Sequence, residues 1–144
     1  MKTYFVDTNI FLRVAVKEDE KSFSQCSLFL KTAEAGKIKI VTSNFVLAEC
    51  VWVLESFYKI KKNKILKILK GIRALRNIKL EDDVDLGTAM RIFSKINVKY
   101  IDALIASNPN IQAKKLEVVS YDKDLDKIGV IRKEPTEIIN KFYN

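Results

Sequence analysis

Two hydrophobic periods alternate along the chain. Short apolar runs at residues 2–7, 38–42, 78–80, 116–120 and 130–131 read as strands. Between them, residues 8–16, 19–35, 44–58, 63–75, about 82–95 and 99–107 place apolar side chains at helical spacing. Residues 122–127 read as a short helical turn, and Pro135 opens a C-terminal turn or helix. The punctuation agrees. Thr8 or Asn9 caps the first helix, Gly36 stops the second, Ser43 or Asn44 caps the third, and Asp82 or Asp83 caps the fifth. Asn108-Pro109 bends or ends the sixth, because the proline ring removes a backbone donor. Strands alternating with helices predict βαβ units, hence an α/β/α sandwich around a mostly parallel central sheet. The 144 residues suit a single domain, 1–144, without repeats or low-complexity linkers.

Four acids interrupt this apolar pattern. Asp7 ends the run Tyr4-Phe5-Val6. Glu49 is the only charge between Phe45 and Leu54, and Asp102 is the only charge between Tyr100 and Ala106. Asp122 follows Val118-Val119-Ser120-Tyr121. Carboxylates are rarely buried without a partner, since their desolvation is costly. Each acid has a plainer alternative. Asp7 fits a helix cap, Glu49 a buried ion pair, Asp102 an acid near a helix N-terminus, and Asp122 an ordinary turn residue. Taken together those alternatives are weaker, because open parallel sheets build sites beyond the carboxyl ends of their strands. Asp7 and Ser120/Asp122 fall at two such ends.

The chain has no histidine, which excludes Ser-His-Asp and Cys-His nucleophilic schemes and most zinc sites. Its formal charge is +8, which favours polyanionic partners, nucleic acid first. Much of that excess lies between Lys59 and Arg76 at helical spacing, which also fits a solvated face. Cys26 and Cys50 sit in apolar helical contexts and are expected to pack as thiols in a reducing compartment, the cytoplasm. No apolar run is long enough to span a membrane, and no signal peptide is expected at the N-terminus.

Clustered carboxylates need a cation to neutralise them, and oxygen-only ligation selects Mg²⁺ or Mn²⁺ over zinc. Such an ion activates water without help from an imidazole. At this point the motifs Val6-Asp7-Thr8-Asn9, Glu49 in an apolar helix, Asp102-Ala103-Leu104-Ile105-Ala106 and Val119-Ser120-Tyr121-Asp122-Lys123-Asp124 resemble the PIN domain, and within it the VapC-type toxins of toxin–antitoxin systems. Glu134-Pro135-Thr136-Glu137 extends the resemblance towards the C-terminus. The resemblance implies a Mg²⁺- or Mn²⁺-dependent endoribonuclease, commonly a homodimer, blocked by a small antitoxin. It implies that Asp7, Glu49 and Asp102 bind metal, with Asp122 as the fourth, more variable acid. Thr8, Asn9 and Ser120 match polar positions that orient the carboxylates or a water. Asp124 and Asp126 compete with Asp122 for the fourth place.

Arg13, Lys99 and Lys123 lie near the expected rim, as phosphate contacts or as solvated surface. Trp52, Phe45, Phe57 and Tyr58 have the spacing of core or dimer-face residues rather than base-stacking ones. Leu47, Val51 and Leu54, together with the series Ile65 to Ile72, offer more apolar surface than one domain needs to bury, which marks two adjacent helices for a protein contact. Two other functions suit parts of the pattern. One is a non-catalytic RNA-binding or assembly scaffold of the same fold. The other is a metal-dependent phosphatase, which usually has a second Asp two residues after the first, where this chain has Asn9. An RNA-processing nuclease outside a toxin–antitoxin pair remains an alternative setting for the same chemistry.

Overall fold

The computed structural model describes residues 1–143; position 144, the last of the expected domain span, lies outside the described residues. Strands β1 (Thr3–Val6), β2 (Lys39–Thr42), β3 (Ile78–Leu80), β4 (Glu117–Val119) and β5 (Arg132–Lys133) form one sheet in the order β3-β2-β1-β4-β5. All four pairings are parallel. The central strands are continuous apolar runs because helices cover both faces: Tyr4, Phe5, Val6, Val118 and Val119 are all buried.

Helices α1 (Thr8–Ala15), α2 (Glu20–Glu34), α3 (Asn44–Ser56) and α4 (Lys62–Arg73) fill the connections from β1 to β3. Helices α5 (Leu86–Lys95), α6 (Tyr100–Ala106) and α7 (Pro109–Gln112) fill the return from β3 to β4. The short α8 (Pro135–Ile139) packs against α2. The first set packs together through α1 against α2 and α3, and the second through α6 against α5 and α7. Parallel crossovers are right-handed, so reversing the direction of travel at β3 puts the two sets on opposite faces. The expected α/β/α sandwich is present.

Several boundaries and caps differ from expectation, each for an identifiable reason. The first helix is capped by Asp7, whose side chain accepts from the Thr8 N–H, rather than by Thr8 or Asn9. Asp85 caps α5, in place of Asp82 or Asp83. Asp82 is engaged elsewhere, accepting from the Asn44 backbone N–H and side-chain amide, both at 2.8 Å. The last strand is Arg132–Lys133, two residues later than 130–131, because Gly129 first turns the chain through a left-handed conformation at φ 72°. The helix holding Asp102 does end just before Asn108-Pro109, as expected, and Asn108 then caps α7 with Pro109 in its first turn.

Helix α3 is less covered than its composition suggests. Trp52 and Phe57 are each 66% exposed, so neither is a core residue. On α4, Ile65 and Ile72 are buried while Leu66 is exposed and the basic side chains face solvent. A hollow of about 480 Å³ lies between the two helices and β3, lined in part by Leu47, Val51, Leu69, Ile72 and Leu80. The expected apolar excess on these helices therefore exists. Cys26 and Cys50 are buried free thiols.

Phe29 is fully buried on α2, edge-on to Tyr4 with ring centroids 6.5 Å apart. Phe29→Ala is expected to lower the unfolding free energy by about 3–5 kcal/mol in a urea titration. Trp52→Ala is expected to change it by no more than about 0.5 kcal/mol.

Candidate metal centre

The chain leaves β1 towards β2 on one side, and β4 pairs with β1 on the other. This reversal of strand order makes the carboxyl ends of β1 and β4 a topological switch point, the usual place for a site in an open parallel sheet. Val6 is paired in register with Val119, so the next residues of both strands, Asp7 and Ser120, meet at that rim. The Asp7 N–H donates to the Val119 carbonyl at 3.1 Å, which carries the pairing one step further.

A tight polar network then locks the two strand ends together. Asp7 Oδ1 accepts from the Thr8 N–H at 2.7 Å, and Asp7 Oδ2 accepts from the Ser120 hydroxyl at 2.7 Å. The Asn9 amide donates to Ser120 Oγ at 2.9 Å and to Asp7 Oδ2 at 3.3 Å. Asn9 Oδ1 accepts from the Tyr121 N–H at 3.1 Å. Ser120 Oγ accepts from the Asp122 N–H at 3.0 Å, and Asp122 Oδ1 accepts from the Asp124 N–H at 2.9 Å. Asp7 is thus both a helix cap and a carboxylate fixed in orientation. Asn9, where a phosphatase pattern would put an acid, is a strut. The Thr8 hydroxyl is buried without a hydrogen-bond partner, and its backbone N–H is what holds Asp7.

Asp102 reaches the same place from the first turn of α6. Its residue is only 1% exposed, and both carboxylate oxygens are buried with no hydrogen-bond partner. One oxygen from each of Asp7, Asp102 and Asp122 lies within 4.8 Å of the others. Burial pushes the Asp102 carboxyl up to about 7, with Asp122, Asp7 and Glu49 adding repulsion and Lys99 opposing it. Burial also raises the Asp7 pKa, against hydrogen bonds from Ser120 and Thr8.

The remaining candidates separate clearly. Glu49 is half-buried on α3 and makes no ion pair among the described residues. It stands outside the tight trio, yet its charge acts on both Asp7 and Asp102. Asp124 pairs with Lys127 at 3.0 Å and Asp126 with Arg132 at 3.0 Å, which leaves Asp122 as the acid of that segment in the cluster. Arg13 is held by Asp19 and Ser22, each at 3.2 Å, over the ring of Tyr121. Lys99, three residues before Asp102, puts its ammonium 3.7 Å from Asp122 Oδ2. Partial burial lowers the Lys99 pKa, but the fields of Glu49, Asp102, Asp122 and Asp7 outweigh it and leave the pKa raised. The sequence pattern had put Lys99 on a par with Arg13 and Lys123, and only its i, i+3 spacing from Asp102 set it apart.

The donor set suits a hard divalent cation: three converging carboxylates, no nitrogen or sulfur, and one buried carboxylate with both oxygens free. The PIN domain profile matches residues 4–131. The chain belongs to the PIN domain family. No curated protein sequence matches this PIN domain at a significant level. Among solved structures, it is similar to VapBC2 from Rickettsia felis bound to a DNA fragment from its promoter, with a TM-score of 0.63 and 20% identity over 92% of this chain and 98% of that one. It is similar to PAE2754 from Pyrobaculum aerophilum, with a TM-score of 0.65 and 14% identity over 96% of this chain and 93% of that one. It is also similar to VapC20 from Mycobacterium tuberculosis, a Sarcin-Ricin loop cleaving toxin, with a TM-score of 0.63 and 15% identity over 92% of this chain and 99% of that one. At these identities the likeness is one of fold.

The folded-state pKa of Asp102 lies above its ordinary 3.8, so the native protein holds this proton more tightly than the unfolded chain. Its contribution to stability therefore declines as pH rises from 3.8 through about 7. Without divalent ions, the melting temperature of the wild type is expected to fall across that window more steeply than that of Asp102→Asn. Added Mn²⁺ is expected to raise the wild-type value and leave the variant nearly unmoved. Thermal melts across pH, with chelator and with Mn²⁺, provide the check, and parallel profiles would contradict it.

Proposed function

We propose that this PIN domain is a divalent-metal-dependent endoribonuclease that hydrolyses RNA phosphodiester bonds, and that it is a VapC-type toxin. The observation that carries the proposal is the buried, unpartnered Asp102 carboxylate converging with Asp7 and Asp122. A scaffold gains nothing from an uncompensated buried charge, which costs several kcal/mol unless a cation offsets it. Asp7, Asp102 and Asp122 would hold the ion, with Glu49 approaching from α3. A cation bound there would supply Lewis-acid activation of water and neutralise phosphate charge, with Mg²⁺ or Mn²⁺ the fitting ions.

The chain's own residues have distinct tasks. Thr8 N–H, Asn9 and Ser120 hold the Asp7 carboxylate in one orientation. The Ser120 hydroxyl also fixes the start of the segment bearing Asp122. The formal charge of +8 favours a polyanion as substrate. Fold likeness to VapBC2 and VapC20 supports a toxin setting, in which a small antitoxin partner covers the site. The exposed apolar surfaces of α3 and α4 suit protein contacts, the antitoxin and a second copy being the expected occupants. The whole chain acts as one domain in this reading, in the cytoplasm.

Cleavage of a single-stranded RNA with Mg²⁺ or Mn²⁺, abolished by chelator, tests the proposal directly. Asp7→Asn and Asp102→Asn are each expected to lower the rate by at least about 100-fold, the scale of losing one preorganised electrostatic contact. Asp124→Asn is expected to retain most activity, since Asp124 is paired with Lys127 away from the trio. Full cleavage by Asp7→Asn would refute the assignment.

A further inference from the structure

Among the described residues, Lys99 is the one basic residue in an ion pair with the carboxylate cluster, and the terms of that tie are unusual. Its ammonium sits 3.7 Å from Asp122 Oδ2, close enough for an ion pair and too far for a hydrogen bond. It donates no hydrogen bond to any carboxylate among the described residues, whereas Arg132 is fixed by Asp126 and Glu134 at 3.0 Å each. Its side chain is 62% exposed, so the four-carbon stem can turn. Arg13 is pinned by Asp19 and Ser22, and Lys123 has no carboxylate partner among the described residues.

From this arrangement we infer that Lys99 is a substrate-contacting residue that binds the phosphate at the cleaved bond, and that it is parked against Asp122 until the metal site is filled. The inference rests on the nuclease reading above. Once Asp122 faces a divalent cation, the nearby ammonium meets a like charge and loses its partner, so repulsion and the loss of one carboxylate both turn Lys99 outward. An incoming phosphodiester offers the oxygen acceptors that Asp122 no longer provides. Lys99 is compact, strongly charged and flexible, which suits contact with a phosphate as a point charge. The expected consequence is an exchange of partners: the acid cluster acquires the metal, and Lys99 acquires RNA.

The test uses the full chain as wild type, Lys99→Ala and Lys99→Arg, with Mn²⁺ and a short single-stranded RNA as probes. Mn²⁺ titration by calorimetry is expected to give Lys99→Ala an affinity equal to or tighter than wild type, because a competing cation has been removed. At saturating Mn²⁺, kcat/KM for the RNA is expected to fall by about 10- to 100-fold in Lys99→Ala, the scale of one charge-assisted contact. Lys99→Arg is expected to restore it to within a few-fold. The slope of log kcat/KM against log salt should become shallower by about 0.7 in Lys99→Ala, the share of one phosphate contact on a single strand. Unchanged cleavage by Lys99→Ala overturns the inference, as does a loss that merely follows weaker Mn²⁺ binding, which would make Lys99 a support for the metal site. If wild type cleaves RNA and Asp7→Asn does not, either of those results removes Lys99 alone. A wild type inert with Mn²⁺ removes both the nuclease reading and this inference.

Discussion

Repulsion among carboxylates is the force around which the rim of this PIN domain is organised. Two unit charges about 4.8 Å apart interact by roughly 3 to 4 kcal/mol at an effective dielectric constant near 20. Asp7, Asp102 and Asp122 supply three such pairs when ionised, before their desolvation is counted. The hydrogen bonds from Thr8, Ser120 and Asn9 to Asp7 offset part of this, since bonds to a charged acceptor contribute about 1.5–3 kcal/mol each. Asp102 has no such bonds, and Lys99 stands at ion-pair distance only from Asp122. The deficit has the sign and the place that a divalent cation would cancel.

The scaffold concentrates these charges through strand order. β1 sits at the centre of the sheet, with β2 on one side and β4 on the other. The two halves of the chain diverge there, at the carboxyl ends of β1 and β4. Asp7 enters from β1, the Ser120–Asp122 segment from β4, and Asp102 from α6 on the return path. Asn9 and Ser120, 111 positions apart, are joined by a bond of 2.9 Å. Rigidity at this junction follows from shared partners: the Ser120 hydroxyl serves Asp7, Asn9 and the Asp122 N–H at once. Loss of one member would loosen the whole rim.

Much of this was legible in the residue pattern. The parallel sandwich followed from alternating periods, and Asp7, Asp102 and Asp122 stood out as charges in apolar surroundings. The shifts in element boundaries came where two local signals compete. Asp82, Asp83 and Asp85 are all competent caps, and the long-range demand of Asn44 for Asp82 left Asp85 to start α5. Glu49 looked buried because its helix is so apolar, but α3 exposes Trp52 and keeps Glu49 only half-covered. Composition measures how apolar a helix is and says nothing about how much of its surface a neighbour covers.

The sequence by itself determined the periodicity of the elements and the histidine-free, carboxylate-rich character of the candidate site, because these depend on residue type and near-neighbour spacing. Only the tertiary structure decided that Asp122 joins the cluster while Asp124 and Asp126 turn to Lys127 and Arg132, and that Lys99 rather than Arg13 faces the acids. Those outcomes depend on distances between residues far apart in the chain. Strand order and crossover direction set such distances, and no local stretch of sequence encodes them.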